Sequence, residues 1–196
     1  SVIDITSFMV ETHVNLLGRY DKHKELDDII NVNKNNFSQI NDIYTQSNNF
    51  FTYNILDEKY QIKRIVYNTY QAVSGAGKSG VDDLNNGIKG IAPKKFPYPI
   101  FNNCLPHIDV FLDNGYTKEE LKMINETRKI LKKPELKITA TTVRVPVVNS
   151  HSESINVEFE NDFDLYDVKM LLQNSPGIIV NDNLEKNQYP LSSKSN

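Results

Sequence analysis

A run of β-branched and aromatic residues from Ile62 to Gln71 most constrains how this chain can fold. It reads IleLysArgIleValTyrAsnThrTyrGln, which is typical of a β-strand. The run passes directly into SerGlyAlaGlyLysSerGly at 74–80, whose small residues indicate a loop. A later stretch, residues 154–160, alternates Ile155, Val157 and Phe159 with polar residues, which predicts a strand with one buried face.

The clearest predicted helix begins at Thr117, because Thr117 and Glu120 form a capping box and Pro134 follows the apolar pattern. Its apolar face comprises Leu121, Ile124 and Leu131. Further predicted elements are a strand over 136–146, a helix from about Leu165 to Gln173, and a strand at 177–180. This mixture predicts an α+β fold, with a mixed sheet and helices on one face.

Residues 1–55 differ in composition from the rest, since they contain no proline and are rich in asparagine. Their apolar residues recur at helical intervals and predict two amphipathic helices. The first would contain Phe8, Val10, Val14, Leu16 and Leu17, and the second Leu26, Ile29, Ile30, Phe37, Ile40 and Ile43. The sequence therefore predicts two parts, a helical segment over 1–55 and an α+β domain over 56–196.

Charge and composition exclude several classes of protein. A formal net charge of -3 provides no broad cationic surface, so neither nucleic acid nor an anionic membrane is an expected partner. No apolar run approaches the roughly 20 residues that cross a bilayer. A single cysteine and the lack of a signal-like N-terminal run favour a reducing, cytoplasmic setting.

The loop after Ile62–Gln71 also resembles a phosphate-binding P-loop. Ala72 stands where the first glycine would be, and Gly77, Lys78 and Ser79 follow at the P-loop spacing. A nucleotide-binding protein is therefore an alternative. The residues after Ser79 form a poor helix by composition, however, which disfavours it.

Cys104 and His107 could be half of a metal site or a thiol with its base. Two residues do not complete a zinc site, and no second cysteine exists. Because free cysteine is usually a buried structural residue, we expect Cys104 to be buried and no metal to be bound.

Arg144 and His151 lie seven residues apart on an extended segment, and together could bind an anion and transfer a proton. Glu126 and Lys129, three apart on the helix that begins after Thr117, lie on a face distinct from its apolar stripe. From the residues alone, each has an ordinary structural interpretation, such as a surface ion pair or a solvated arginine at a sheet edge.

Five stretches together resemble aspartate-semialdehyde dehydrogenase, in order and in spacing, from about Leu56 to Leu191. They are 62–77, 96–109, 114–131, Arg144 to His151, and 151–160. The resemblance implies NADPH-dependent reduction of aspartyl phosphate to aspartate semialdehyde through a cysteine thioester, in amino-acid biosynthesis. It also implies a homodimer that forms through the face of the sheet.

The resemblance assigns roles to particular residues. His151 matches the general acid and base, and Arg144 matches the residue that binds the carboxylate of a small anionic amino-acid substrate. Glu126 matches the carboxylate that meets the substrate amino group, and Lys129 matches a cation near the phosphate. The glycine-rich loop, with Ser74, Gly75 and Gly77, matches the part that approaches NADP.

Two features of the family are missing from the sequence. Residues 1–55 contain Gly18 as their single glycine, so no glycine-rich nucleotide turn is predicted there. The family's nucleophilic cysteine would fall near Tyr44, and the single cysteine is Cys104. We therefore expect a truncated or degenerate form that is inactive alone and binds no cofactor unless a second chain supplies the missing parts. The alternative is a non-catalytic, dimer-forming interaction module.

Overall fold

The computed structural model describes residues 2–8, 52–175 and 178–194. Its centre is a four-stranded sheet in the order β1-β4-β2-β3. The strands are β1 (Val2–Phe8), β2 (Ile62–Gln71), β3 (Lys137–Arg144) and β4 (Ser152–Phe159). β2 pairs parallel with β3, whereas β4 runs antiparallel to both β2 and β1. The predicted mixed sheet is confirmed.

Four helices accompany the sheet within the described ranges. They are α1 over 52–60, α2 (Lys78–Gly87), α3 (Lys118–Ile130) and α4 (Leu165–Gln173). α1, α3 and α4 share one apolar core with a single face of the sheet, as predicted. The most deeply buried members of that core are Leu56, Ile65, Tyr67, Ile155, Val157 and Val168. None of the helices in these ranges is long and apolar enough to cross a bilayer.

Alternation along the strands separates a covered face from an open one. Tyr67 on β2 lies opposite Ile155 on β4, and both are buried beneath the helices. The next pair along, Asn68 and Ser154, lies on the other face and is only half-buried. Because side chains of a strand point alternately to the two faces, the apolar residues converge on the helices and leave a mainly polar open face.

Helix α3 begins with the predicted capping box. The Thr117 hydroxyl accepts a hydrogen bond from the Glu120 N–H, and Glu120 Oε2 accepts one from the Thr117 N–H at 2.8 Å. At the other end of the helix, Arg128 Nε donates to the Leu136 carbonyl at 3.0 Å, next to the start of β3. α3 therefore runs antiparallel to β3, and its first turn lies beside the strand end that carries Arg144.

The outer edge of β3 is closed by groups from outside the sheet. Glu120 Oε1 accepts a hydrogen bond from the Thr142 N–H at 2.9 Å. Leu105 and Arg144 exchange two backbone hydrogen bonds, of 2.9 and 2.8 Å. Edge strands expose unpaired backbone groups that invite other chains, and these contacts pair the backbone of β3 at Thr142 and Arg144.

Residues 2–8 form strand β1, whereas the sequence placed Phe8 at the start of an amphipathic helix. The segment ValIleAspIleThrSerPhe is rich in β-branched residues, which favour a strand, and the edge of β4 supplies its hydrogen-bonding partner. The remaining residues of both predicted N-terminal helices, 9–51, lie outside the described residues.

Two predictions in the rest of the chain were wrong. Residues 178–180, part of the strand predicted at 177–180, have no regular structure and pair with no strand of the described sheet. Residues 78–87 form α2, whereas the sequence predicted a loop up to residue 80 and a poor helix after Ser79. Packing of Gly80 against the preceding turn and hydrogen bonds to Asp83 stabilise this helix despite its poor composition.

Candidate active site

The turn between β2 and α2 brings Arg144 and His151 together through the backbone of Ala72. The Ala72 N–H donates to His151 Nδ1 at 2.9 Å, and Arg144 Nη1 donates to the Ala72 carbonyl at 2.7 Å. Arg144 ends β3, and His151 immediately precedes β4, the two neighbours of β2 in the sheet. One buried residue at the end of the central strand thus sets the positions of both functional side chains.

The hydrogen bond from Ala72 also fixes the tautomer of His151. Because Nδ1 accepts a hydrogen bond, the proton of the neutral ring sits on Nε2. Burial, and secondarily the nearby Arg144 cation, lower the pKa of His151 to about 4. At neutral pH the imidazole is therefore uncharged, with an Nε2–H available as a donor.

We expect His151 to titrate with a midpoint near pH 4 in an NMR titration of its ring protons. Since the unfolded pKa is higher, at the ordinary value of 6.5, this residue's contribution to stability is complete above that value and declines as the pH falls towards 4. Arg144→Met removes the neighbouring cation and should raise the midpoint. An unchanged midpoint in that variant would contradict the proximity of the two charges.

Gly75 packs closely against both groups. A Cβ atom there would lie 3.0 Å from Arg144 Nη1 and 3.1 Å from His151 Nε2, so a side chain would press on the guanidinium and the imidazole. Gly75 itself is exposed. The lack of a side chain therefore lets the exposed backbone of the turn lie close to both the guanidinium and the imidazole.

Arg144 is only 6% exposed, and its Nε has no hydrogen-bond partner among the described residues. Burial lowers the pKa of Arg144, whereas the carboxylate of Glu119 acts in the opposite direction. No carboxylate lies within ion-pair distance of Arg144 in the described part of the chain. A buried cation with an unused donor is the arrangement expected of an anion-binding site.

The start of α3 adds Glu119 and Lys122, and the end of β2 adds Gln71, which are polar groups that the sequence reasoning missed. Glu119 Oε1 lies 3.5 Å from Gln71 Nε2, and Glu119 Oε2 lies 3.8 Å from Lys122 Nζ. The capping box at Thr117 was the available signal, because it places the residues that follow it at the first turn. Gln71 was also detectable, as the last residue of β2 in the buried alternation.

Glu126 and Lys129 lie further along α3. From Glu119 the rise of an α-helix puts them roughly 10 Å and 15 Å away, towards the end of the helix that meets the start of β3. Glu126 is half-buried and Lys129 is exposed. The structure thus brings Arg144 and His151 together and leaves these two residues apart from them, so their roles stay predictions.

Backbone N–H groups of the glycine-rich turn donate hydrogen bonds to protein carbonyls. Val73 and Ser74 donate to the carbonyls of Val147 and Val148, while Gly75 and Gly77 donate to those of Ala72 and Ser74. A P-loop requires such N–H groups to point at phosphate oxygens. This geometry argues against the P-loop alternative.

Cys104 is exposed, which corrects the expectation that it is buried. The apolar residue of this loop that packs inward is its neighbour Leu105, through the bridge to Arg144. The His107 ring stacks on Phe111, with 4.5 Å between the ring centroids. Within the described ranges, no group of three or more His, Cys, Asp or Glu side chains could hold a metal ion.

Comparisons with known proteins agree with the resemblance seen in the sequence. Residues 54–195 match the family model described as "Semialdehyde dehydrogenase, dimerisation domain", and residues 1–76 match that of the "Crassvirus muzzle protein". Aspartate-semialdehyde dehydrogenase of Aquifex aeolicus is 50% identical over 141 residues, covering 68% of this chain and 42% of that protein. The Campylobacter jejuni enzyme is 45% identical over 144 residues, covering 69% of this chain and 42% of that protein.

Solved structures agree as well. Aspartate semialdehyde dehydrogenase II from Vibrio cholerae superposes with a TM-score of 0.62 at 38% identity, covering 66% of this chain and 40% of that one. The same protein "complexed with ASA" gives a TM-score of 0.59 at 41% identity, covering 62% and 38%. The chain thus spans about two fifths of the length of these relatives. With a family match over 54–195, the chain belongs to the semialdehyde dehydrogenase dimerisation-domain family.

Proposed function

We propose that residues 54–195 are the substrate-binding and dimerising part of an aspartate-semialdehyde dehydrogenase. Arg144 binds the substrate carboxylate, and His151 transfers a proton. The observation that carries this proposal is the pair of hydrogen bonds at Ala72, whose N–H donates to His151 and whose carbonyl accepts from Arg144, because they fix a guanidinium and a neutral imidazole at one turn.

The state of each group supports its role. Arg144 has no carboxylate partner among the described residues and its Nη1 lies beside the exposed Gly75, so a substrate carboxylate bound by this guanidinium gains a charge-assisted hydrogen bond. His151 Nε2 lies beside Gly75 at the same turn. Its N–H can donate a hydrogen bond to a substrate oxygen and release the proton as negative charge develops there.

The pocket gains further polar groups from α3. Glu119 suits the substrate amino group and Lys122 the phosphate, because both lie in the turn that faces the end of β3. Gln71 offers an amide at the same end of the sheet. The geometry supports these positions over Glu126 and Lys129, to which the family resemblance assigned the same roles.

For the cofactor, the turn of Ser74, Gly75 and Gly77 places backbone next to His151, with Gly75 and Gly77 exposed. A side chain at Gly75 would press on Arg144 and His151, so the bare backbone of this turn suits the approach of NADP. Bound NADPH would supply the hydride. The rest of the cofactor site and the nucleophilic thiol have no counterpart in residues 54–195, so complete turnover requires another polypeptide segment to supply them.

Calorimetric titration of the purified chain with aspartate semialdehyde tests the pocket. Arg144→Lys loses the forked geometry of the guanidinium and should weaken binding about tenfold or more. Arg64→Lys is the matched control, since Arg64 is exposed on the open face of the sheet. Equal affinity in the Arg144→Lys and unsubstituted chains would overturn the assignment.

A separate assay addresses turnover. NADP-dependent oxidation of aspartate semialdehyde in phosphate buffer should be undetectable for the chain alone. Activity that disappears in Cys104→Ser would instead identify Cys104 as the nucleophile. Binding without turnover would establish a substrate site in an incomplete enzyme.

The open face of the sheet is the proposed dimer interface. Tyr70 is 43% exposed on this face, and a partly exposed tyrosine is a typical interface anchor. Tyr70→Asp should weaken the dimer by about 2 kcal/mol, measured as the dimer dissociation constant by analytical ultracentrifugation. Thr141→Ser, on the same face, should leave it unchanged. A Tyr70→Asp chain that dimerises normally would place the interface elsewhere.

The second candidate is a non-catalytic interaction module. The match of residues 1–76 to the muzzle-protein family favours it, because that segment overlaps the dehydrogenase domain only at 54–76. If this candidate is correct, His151→Ala and Arg144→Lys would leave the dimerisation of the chain unchanged. Loss of binding to aspartate semialdehyde in those variants would argue for the first candidate.

A further inference from the structure

Within residues 54–195 the sheet consists of β4, β2 and β3 in that order, and its two edges differ in what closes them. The edge of β3 is blocked by Glu120 and by the backbone bridge from Leu105 to Arg144. The edge of β4 carries no such block and pairs along its whole length with β1, from Val2 opposite Glu158 to Phe8 opposite Ser152. β4 therefore offers the edge that can take a strand.

The strand that β4 receives comes from outside the matched domain. β1 precedes residues 54–195 and lies within the 1–76 match to the other family. Residues 9–51 separate it from α1, so no tight turn fixes the pairing, as a hairpin would. The association depends on the backbone ladder itself and on the residues that face each other across it.

We propose that the outer edge of β4 is a strand-acceptor site and that Val2–Phe8 is its resident ligand, held by β-augmentation. The class of ligand is an extended, β-branched segment of about seven residues that runs antiparallel to β4. This site is independent of the pocket at Arg144 and makes the N-terminal segment a partner of the dehydrogenase domain.

The register explains which segments would fit. It sets Ile3 and Ile5 opposite Val157 and Ile155, which are buried on the covered face of the sheet. A slip of one residue would set Asp4 opposite one of these apolar positions, and side-chain alternation makes that costly. The site therefore selects segments in which apolar residues occupy the two positions of Ile3 and Ile5.

Emptying the site is the first test. In the full chain, Asp4→Pro combined with Ile5→Pro removes a ladder donor whichever way the N–H groups point, because successive N–H groups face opposite sides of a strand. A fluorescent peptide with the sequence of Val2–Phe8 should bind this variant at least about tenfold more tightly than the unsubstituted chain. In the latter, the tethered strand competes at an effective concentration near the millimolar range. The peptide carrying the same two prolines is the negative control.

Locking the site is the second test, and it requires no disruption of the fold. Thr6 and Ser154 lie directly opposite in the register, so Thr6→Cys with Ser154→Cys, in a Cys104→Ser background, should form an intramolecular disulfide. The oxidised monomer should exclude the peptide, and reduction should restore competition. Equal binding to the locked chain and the proline variant would place the peptide elsewhere, and disulfide-linked dimers would show that a second copy supplies the strand. Either result would overturn the proposal.

Discussion

Replacing Asp83 by alanine is expected to lower the free energy of unfolding by about 3 kcal/mol, one of the two largest effects foreseen for a single substitution. The Asp83 carboxylate accepts hydrogen bonds from three consecutive backbone N–H groups, those of Lys94, Lys95 and Phe96, at 2.8, 2.7 and 3.0 Å. The residue is 3% exposed. These bonds anchor the loop after α2, and partial access of water to the freed N–H groups keeps the expected loss below the sum of three charged bonds.

The effect of Asp83 should depend on pH. Burial raises the pKa of this carboxyl, but the three N–H donors and the nearby Lys94 lower it by more, and the net pKa lies below its ordinary value of 3.8. A lowered pKa stabilises the fold above the unfolded pKa, and this stabilisation is lost as the pH falls through the folded pKa. Urea unfolding of both chains should therefore show the full difference at pH 7 and a smaller one below about pH 4.

Asp82→Ala is the matched control for this experiment. Asp82 is the exposed neighbour of Asp83 on α2 and should change stability by less than about 0.5 kcal/mol. A difference between Asp83→Ala and the unsubstituted chain that persists undiminished at low pH would show that the carboxylate charge is not what holds the loop.

Gly80→Ala should also destabilise the chain by about 3 kcal/mol. A Cβ at this position of α2 would lie 2.6 Å from the Val73 carbonyl oxygen and 2.9 Å from the Ala76 Cβ. The first of these is a backbone atom in the turn that supports the candidate site, so it cannot move aside like the end of a flexible side chain. The clash should outweigh the gain of up to 1 kcal/mol that alanine brings to a helix interior.

Asn85→Ala separates the steric clash from the gain in helix propensity. Asn85 is exposed on the same helix, so its replacement reports helix propensity without a clash and should be neutral or slightly stabilising. Thermal unfolding followed by circular dichroism measures both variants. A Gly80→Ala chain as stable as Asn85→Ala would mean that α2 can shift away from the turn at no cost.

Local chemistry is what made part of the fold predictable. The capping box of Thr117 and Glu120 and the alternation of Ile155, Val157 and Phe159 depend only on neighbouring residues, and both are observed. Strand β2 and helix α4 likewise have the predicted limits. These elements carry their own signals because the residues that start, stop and orient them lie within a few positions along the chain.

The remaining elements depend on distant partners. Whether Val2–Phe8 forms a strand is decided by the edge of β4, whereas residues 178–180 pair with no strand of the described sheet. α2 depends on a glycine-sized contact with Val73 that no periodicity reveals.

The candidate site likewise combines features that were visible in the sequence with features that required the fold. The spacing of Arg144 and His151 was visible in the sequence, whereas their link through Ala72 required the fold. Glu119 and Lys122 were hidden because a helical face alone does not tell which turn of the helix meets the site. The exposure of Cys104 depended on its neighbour Leu105 taking the inward position.

The pairing of β1 with β4 joins residues from nearly opposite ends of the chain, as with Val2 and Glu158. During synthesis β1 leaves the ribosome before its partner strand, which is made more than a hundred residues later. Closing so long a loop is entropically costly until β2, β3 and β4 have gathered, so β1 takes its place in the sheet after them. Throughout that interval the nascent chain carries an unpaired β-branched segment, and its yield in cells depends on how well that segment is kept from other chains.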